Sequence, residues 1–199
     1  MLCTDNISAI CRCRKNDTFV FMNIVIVSGE RGEGKTTFLK KAAAELRNRG
    51  ISLFGFFAGR VVDEQGREGY QIYKLPGGQK MLLCRRDAPE TGNLHLLDFW
   101  FDESAVSSGE KWLKAGFNCE NPFFILDEAG KFELDGYVWD SVLQQLINNN
   151  KGTLIIAVRN KFTDKIIEKY KLNKHRLTVK SDLLFTIEFI DKIERRQNN

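Results

Sequence analysis

Long apolar runs are missing from this chain: no stretch of it approaches the roughly 18 consecutive apolar residues that a membrane-spanning helix needs. Histidine is scarce, with only His95 and His175 in 199 residues. Cys3, Cys11 and Cys13 cluster near the start, but they form no C-x-x-C pair and have no fourth ligand nearby, which argues against a zinc site. The five cysteines are odd in number and read as reduced thiols. A strong charge of either sign is also absent. The net charge of +4 does not describe a nucleic-acid-binding surface, and Arg195-Arg196 reads as a solvated terminus. Repeats and low-complexity linkers are missing too, so residues 22–199 are expected to form one domain, with residues 1–21 an extension outside its core. Arg12, Arg14 and Lys15 before the apolar run Phe19–Val27 imitate a secretory leader. Cleavage after that run would cut into the glycine-rich segment that follows it directly, so a cytoplasmic location is expected.

That segment is the most informative part of the chain. Gly29-Glu30-Arg31-Gly32-Glu33-Gly34-Lys35-Thr36, followed by Thr37, fits G-x-x-x-x-G-K-[ST]. It lies between the apolar run Ile24–Val27 and a helical pattern from Lys35, the context the motif requires. Its glycines allow the backbone to wrap a polyphosphate with successive N–H groups facing the oxygens. The helix behind offers its positive dipole end to the same anion. Lys35 is expected on the β- and γ-phosphates and the Thr36 hydroxyl on Mg²⁺. The expected ligand is a nucleoside triphosphate.

Periodicity predicts the frame around it. Phe38, Leu39, Ala42, Ala43 and Leu46 recur at helical spacing up to Gly50, and Ile51–Ala58 reads as a buried strand. Asp63–Arg67 reads as a polar turn. Tyr70–Leu75 and Lys80–Arg85 flank Pro76-Gly77-Gly78-Gln79 and predict a hairpin. Leu94–Phe101 reads as one further strand, and Asp102–Ala115 as a helix. Pro122–Leu126 and Thr153–Val158 read as buried strands, Tyr137–Asn149 and Thr163–Leu172 as helices, and Leu177–Lys180 as a short strand. Asp182–Arg196 fits strand and helix equally. Strands alternating with helices imply an α/β fold with a mainly parallel sheet covered on both faces, and residues 60–101 an antiparallel insertion or sheet extension.

The second half of the site is Phe123-Phe124-Ile125-Leu126-Asp127-Glu128. Asp127, at the end of a buried strand, suits magnesium beside Thr36, and Glu128 suits orientation or deprotonation of a water attacking the γ-phosphorus. Asp127-Glu128-Ala129-Gly130-Lys131-Phe132-Glu133-Leu134 resembles the D-E-x-G-K-x-E-L signature of a small P-loop nucleoside-triphosphatase family, which includes thermophile nucleotide phosphatases and the human cancer-related nucleoside-triphosphatase. Gly55-Phe56-Phe57 and Arg67-Glu68-Gly69-Tyr70 agree in order, and the similarity runs from about Met22 to Leu172.

The resemblance implies a RecA-like P-loop fold and Mg²⁺-dependent hydrolysis of NTPs to NDP and phosphate with loose base selectivity. It places Lys35 and Thr36 on the phosphate and magnesium positions, Asp127 on the Walker B acid and Glu128 on the base. It leaves Lys131 and Glu133 without a derived role, an ion pair between them being one reading. This chain carries Ala58, Gly59 and Val62 where the family has charged residues. Arg67 and Arg159 are the candidate stabilisers of transition-state charge. The alternatives are a small-molecule or nucleotide kinase on the same fold, with Glu128 deprotonating an acceptor, and a nucleotide-gated binding module. Leu75-Pro76-Gly77-Gly78-Gln79 imitates a transporter-ATPase signature but reads as a turn, and Asn160-Lys161 lacks the carboxylate at position 163 that a guanine reader needs.

Overall fold

The computed structural model describes residues 22–172, the backbone of 176–180, residues 190–192 and 195. The cysteine cluster at positions 3–13, the extension 1–21 and most of 182–196 lie outside the described residues.

β1 (Asn23–Gly29) is buried at every position, as a strand covered on both faces must be. It runs through the phosphate loop into α1 (Lys35–Asn48). No side chain caps the start of this helix at Gly34. Burial of Phe38, Leu39 and Leu46, worth about 1.5–3 kcal/mol each, outweighs a missing cap, worth about 1 kcal/mol. The uncapped N–H groups are left for an anion.

β2 (Leu53–Val62), β3 (Glu68–Leu75) and β4 (Lys80–Arg86) follow, with the predicted hairpin at Pro76–Gln79. The expected single strand at 94–101 is instead a second hairpin, β5 (Leu94–Leu96) and β6 (Phe99–Phe101). Leu97 reverses the chain there with φ 55°. A leucine in left-handed backbone carries no turn signature, so the sequence pattern runs straight through it. Asp102 caps α2 (Glu103–Lys114), accepting from the N–H groups of Ser104 at 2.8 Å and Ala105 at 3.3 Å. β7 (Phe123–Ala129), the single turn α3 (Lys131–Leu134), α4 (Asp140–Asn149), β8 (Thr153–Arg159), α5 (Asn160–Lys169) and β9 (Arg176–Lys180) complete the described elements.

The nine strands among the described residues form one sheet in the order β5-β6-β4-β3-β2-β7-β8-β1-β9. β2, β7, β8, β1 and β9 are mutually parallel, and β3, β4, β6 and β5 continue the sheet antiparallel. The 60–101 segment is therefore a sheet extension rather than a separate insertion. One face packs Val25, Val27, Ile125 and Ile155 against α1, and the other packs Ile24, Ile26, Phe124 and Leu126 with residues of α2, α4 and α5. Gly55 on β2 has φ 106°, and a Cβ there would fall 2.1 Å from the Ile125 carbonyl oxygen. Only glycine lets β2 lie this close to β7.

Candidate nucleotide and catalytic site

The phosphate loop joins the end of β1 to α1, with Gly32 at φ 85° and Gly34 at φ 86° supplying the left-handed turns. The Glu33 carboxylate folds back to accept the Glu30 N–H at 2.7 Å. Lys35 is buried, and its Nζ donates to the carbonyls of Gly29 at 3.1 Å and Glu30 at 2.9 Å. The ammonium is thus held curled over its own loop, where a polyphosphate would lie.

Asp127 and Glu128 lie in the last three residues of β7. Successive strand residues ordinarily face opposite sides of a sheet. Here the pairing of β7 with β8 slips between Leu126 and Ala129, and both carboxylates line the same cleft. Asp127 is 2% exposed. Its Oδ2 accepts from the Thr36 hydroxyl at 2.7 Å and from the Ala58 N–H at 3.2 Å. Burial pushes this carboxyl up to about 6, against the pull of those two donors. Glu128 is held on both sides: Arg159 Nε donates to its Oε1 at 2.6 Å, and Lys35 Nζ lies 4.0 Å from its Oε2. Thr36, Asp127, Lys35, Glu128 and Arg159 converge from three elements.

Arg31, Gly32, Gly34, Lys35, Thr36 and Thr37 line the cleft, whose volume is about 660 Å³, while Gly29 and Glu30 act through their carbonyls. Arg67 does not line it. Its guanidinium bonds Asp63 at 2.8 Å and Glu90 at 2.6 Å, closing the β2–β3 turn. The arginine beside the acids is Arg159. Arg31 pairs with Glu68 at 3.0 Å, and Glu68 also accepts from Arg60, tying the tip of the phosphate loop to the antiparallel extension. Nothing in the sequence pattern marks Arg60 or Glu68 as neighbours of the loop. The contact at Ala58 is made by a backbone N–H, which no side-chain motif reports.

The Glu133 carboxylate bonds backbone, not Lys131: it accepts from the N–H of Gly130 at 2.7 Å and of Trp139 at 3.4 Å. Burial pushes its carboxyl up to about 7, against both donors. At the end of α5, Lys169 Nζ donates to the carbonyls of Glu133 and Leu134, and the hydroxyl of Tyr170, the next residue, donates to Asp140 at 2.7 Å. The turn that follows Glu128 is therefore anchored from two sides. Among the described residues no group of three or more His, Cys, Asp and Glu side chains is placed to hold a metal by itself, and no helix is long and apolar enough to cross a membrane.

A phosphate loop after one parallel strand, with the acid-ended strand separated from it by a third (β1-β8-β7), defines a P-loop nucleotide-binding protein of RecA-like topology. The chain matches the NTPase family (NTPase_1) over residues 24–183 and belongs to it. Among similar proteins, the nucleoside-triphosphatase THEP1 of Thermotoga petrophila is 28% identical over 188 residues, covering 88% of this chain and 96% of its own. The cancer-related nucleoside-triphosphatase homolog of Mus musculus is 28% identical over 139 residues, 67% of this chain and 73% of its own. The crystal structure of THEP1 from Aquifex aeolicus superposes with a TM-score of 0.55 over 86% of this chain and 95% of that one, at 18% identity. The solution structure of a human cancer-related nucleoside triphosphatase gives 0.59 over 90% and 98%, also at 18% identity. These two structures share the fold.

Proposed function

We infer that this nucleoside-triphosphatase hydrolyses NTPs at the γ-phosphate, releasing NDP and phosphate, with Glu128 as the base. The observation that carries this reading is the placement of Glu128 between Arg159 and Lys35, next to the Thr36–Asp127 pair. The triphosphate lies along the loop N–H groups and the start of α1, and Lys35 leaves its two carbonyl partners for the β- and γ-oxygens. Arg159 exchanges Glu128 for the γ-phosphoryl oxygens, where it stabilises transition-state charge and frees the carboxylate. Water attacks the phosphorus, its proton passes to Glu128, and the bond to the bridging oxygen breaks with the electron pair leaving on NDP.

The residues present fit a magnesium ion that arrives with the nucleotide. Thr36 and Asp127 bring two hard oxygen atoms to one point, 2.7 Å apart. Mg²⁺ is commonly held by one or two carboxylates, with substrate phosphates and water completing its shell. When bound, it neutralises charge on the phosphates. Loose base selectivity is supported at Thr163: its hydroxyl donates to the Arg159 carbonyl at 3.2 Å, where a guanine reader would present a carboxylate. The test is phosphate release from ATP, GTP, CTP and UTP with and without Mg²⁺. Comparable, Mg²⁺-dependent rates on all four are expected; none would end the reading.

A further inference from the structure

The cleft does not end at Glu128. Beyond it, Tyr70 on β3 and Phe99 and Phe101 on β6 form a wall, faced by Phe132 of α3 and by Val138. The Phe132 ring meets Phe101 edge-on at 5.0 Å and Phe99 at 6.5 Å. Leu97 stands at the mouth, 55% exposed. Leu97 (φ 55°) and Val138 (φ 52°) both have left-handed backbone, where L-residues are rare and β-branched ones rarer still. Such backbone clusters at ligand sites. One exposed apolar side chain, several half-buried ones and unusual backbone thus line one arm of the cleft, and a water nucleophile requires none of them.

Position identifies what the wall serves. In-line displacement brings the nucleophile to the γ-phosphorus from the side opposite the departing NDP. Glu128 marks that side, and the aromatic wall lines the same cleft. Lys131, three residues after Glu128, and Lys161, two after Arg159, also line the cleft, and neither has an ion-pair partner among the described residues. Arg86 lies 4.8 Å over the Phe99 ring. A flat ring and an anionic group on one small molecule match this surface.

We propose that this arm of the cleft is an acceptor subsite for a nucleoside monophosphate, a reading that rests on the assignment of the γ-phosphate position above. The base lies against Phe99 and Phe132, and the phosphate lies near Lys131 and Lys161. A phosphate oxygen of the acceptor attacks the γ-phosphorus, the new P–O bond forms as the bridging bond breaks, and the electron pair leaves on the donor's NDP. One NTP and one NMP give two NDPs, with charge and atoms conserved. Water reacts when the arm is empty.

The test uses the full chain with Mg·ATP and, in turn, AMP, GMP, CMP and UMP, measuring phosphate and each NDP separately. At least one NMP is expected to be converted to its own NDP, raising total NDP at least fivefold over phosphate. Leu97→Asp and Lys161→Glu, both at exposed positions, are expected to cut that conversion at least tenfold while phosphate release from ATP alone stays within twofold. NDP equal to phosphate with all four monophosphates overturns the subsite. Conversion that neither variant affects overturns its location. Conversion without any phosphate release from ATP alone would uphold the subsite and sink the hydrolase reading instead.

Discussion

Arg159 and Glu128, 31 residues apart in the chain, meet at 2.6 Å across neighbouring parallel strands. The strand register explains why: Arg159 pairs with Gly29 of β1, while Val158 beside it pairs with Ala129 of β7. The arginine is thus centred between the start of the phosphate loop and the acidic strand end. In the proposed reaction it exchanges Glu128 for the γ-phosphoryl oxygens. The Arg159→Ala protein should lose about 10²–10³-fold in kcat, the usual cost of one preorganised charge donor, with KM for the triphosphate little changed. If kcat is unaffected, the guanidinium serves only to hold Glu128.

Glu128→Gln keeps the shape and removes the basicity. Nucleotide affinity should stay within about twofold while kcat falls by about 10²–10⁴-fold, the range for a lost general base. Equilibrium binding and steady-state phosphate release measure the two effects separately. Combined with Arg159→Ala, the loss should be less than the product of the single losses, because the two groups act as a unit.

The Thr36–Asp127 contact at 2.7 Å predicts a magnesium phenotype. Asp127→Asn should raise the Mg²⁺ concentration for half-maximal turnover by about 10-fold or more, since on the proposed reading it removes the carboxylate that would hold the ion. A titration of rate against Mg²⁺ at saturating NTP reads this directly, and an unchanged midpoint would move the metal elsewhere. Lys35→Ala should instead weaken triphosphate binding itself at any Mg²⁺ level.

Arg67 belongs to the β2–β3 turn, with Asp63 and Glu90 as its partners. Arg67→Ala should leave turnover within about twofold and lower stability only slightly, as expected for solvent-screened ion pairs. Thermal unfolding and phosphate release check both halves. A tenfold loss of kcat without a stability change would return this arginine to the chemistry.

Glu133 predicts a pH dependence of stability. Its folded value of about 7 lies above the ordinary 4.5. A carboxyl raised on folding favours the native state fully below its unfolded value, and that contribution is lost as pH rises through the folded one. Stability should therefore decline between about pH 4.5 and 7, and Glu133→Gln should flatten that decline. Denaturant midpoints at half-unit pH steps measure it, and parallel profiles for the two proteins would rule the residue out.

What could be read from the sequence was what is local. The phosphate loop is eight consecutive residues in a strand–turn–helix frame, and Asp127-Glu128 announce themselves by ending an apolar run. Glycine and proline at Pro76–Gly78 mark a hairpin that the fold contains. The partners of an arginine are a tertiary property, so the sequence offers both Arg67 and Arg159 as candidates, and the fold gives the first to Asp63 and the second to Glu128. The Ala58 N–H, the Arg31–Glu68–Arg60 tie and the reversal at Leu97 have no compositional mark. α3 is four residues long, too short for periodicity to register.

The chain departs from the parallel strands along β2 and does not return to the parallel half until α2 begins at Glu103, so the whole antiparallel half of the sheet is one uninterrupted stretch. Lys35, Thr36, Asp127, Glu128 and Arg159 all lie outside that stretch. It is not detachable, however: Ile72, Leu83 and Phe101 share one core with Ile26, Phe124 and Leu126, so a cavity opened in the outer strands would loosen the seat of the acids as well.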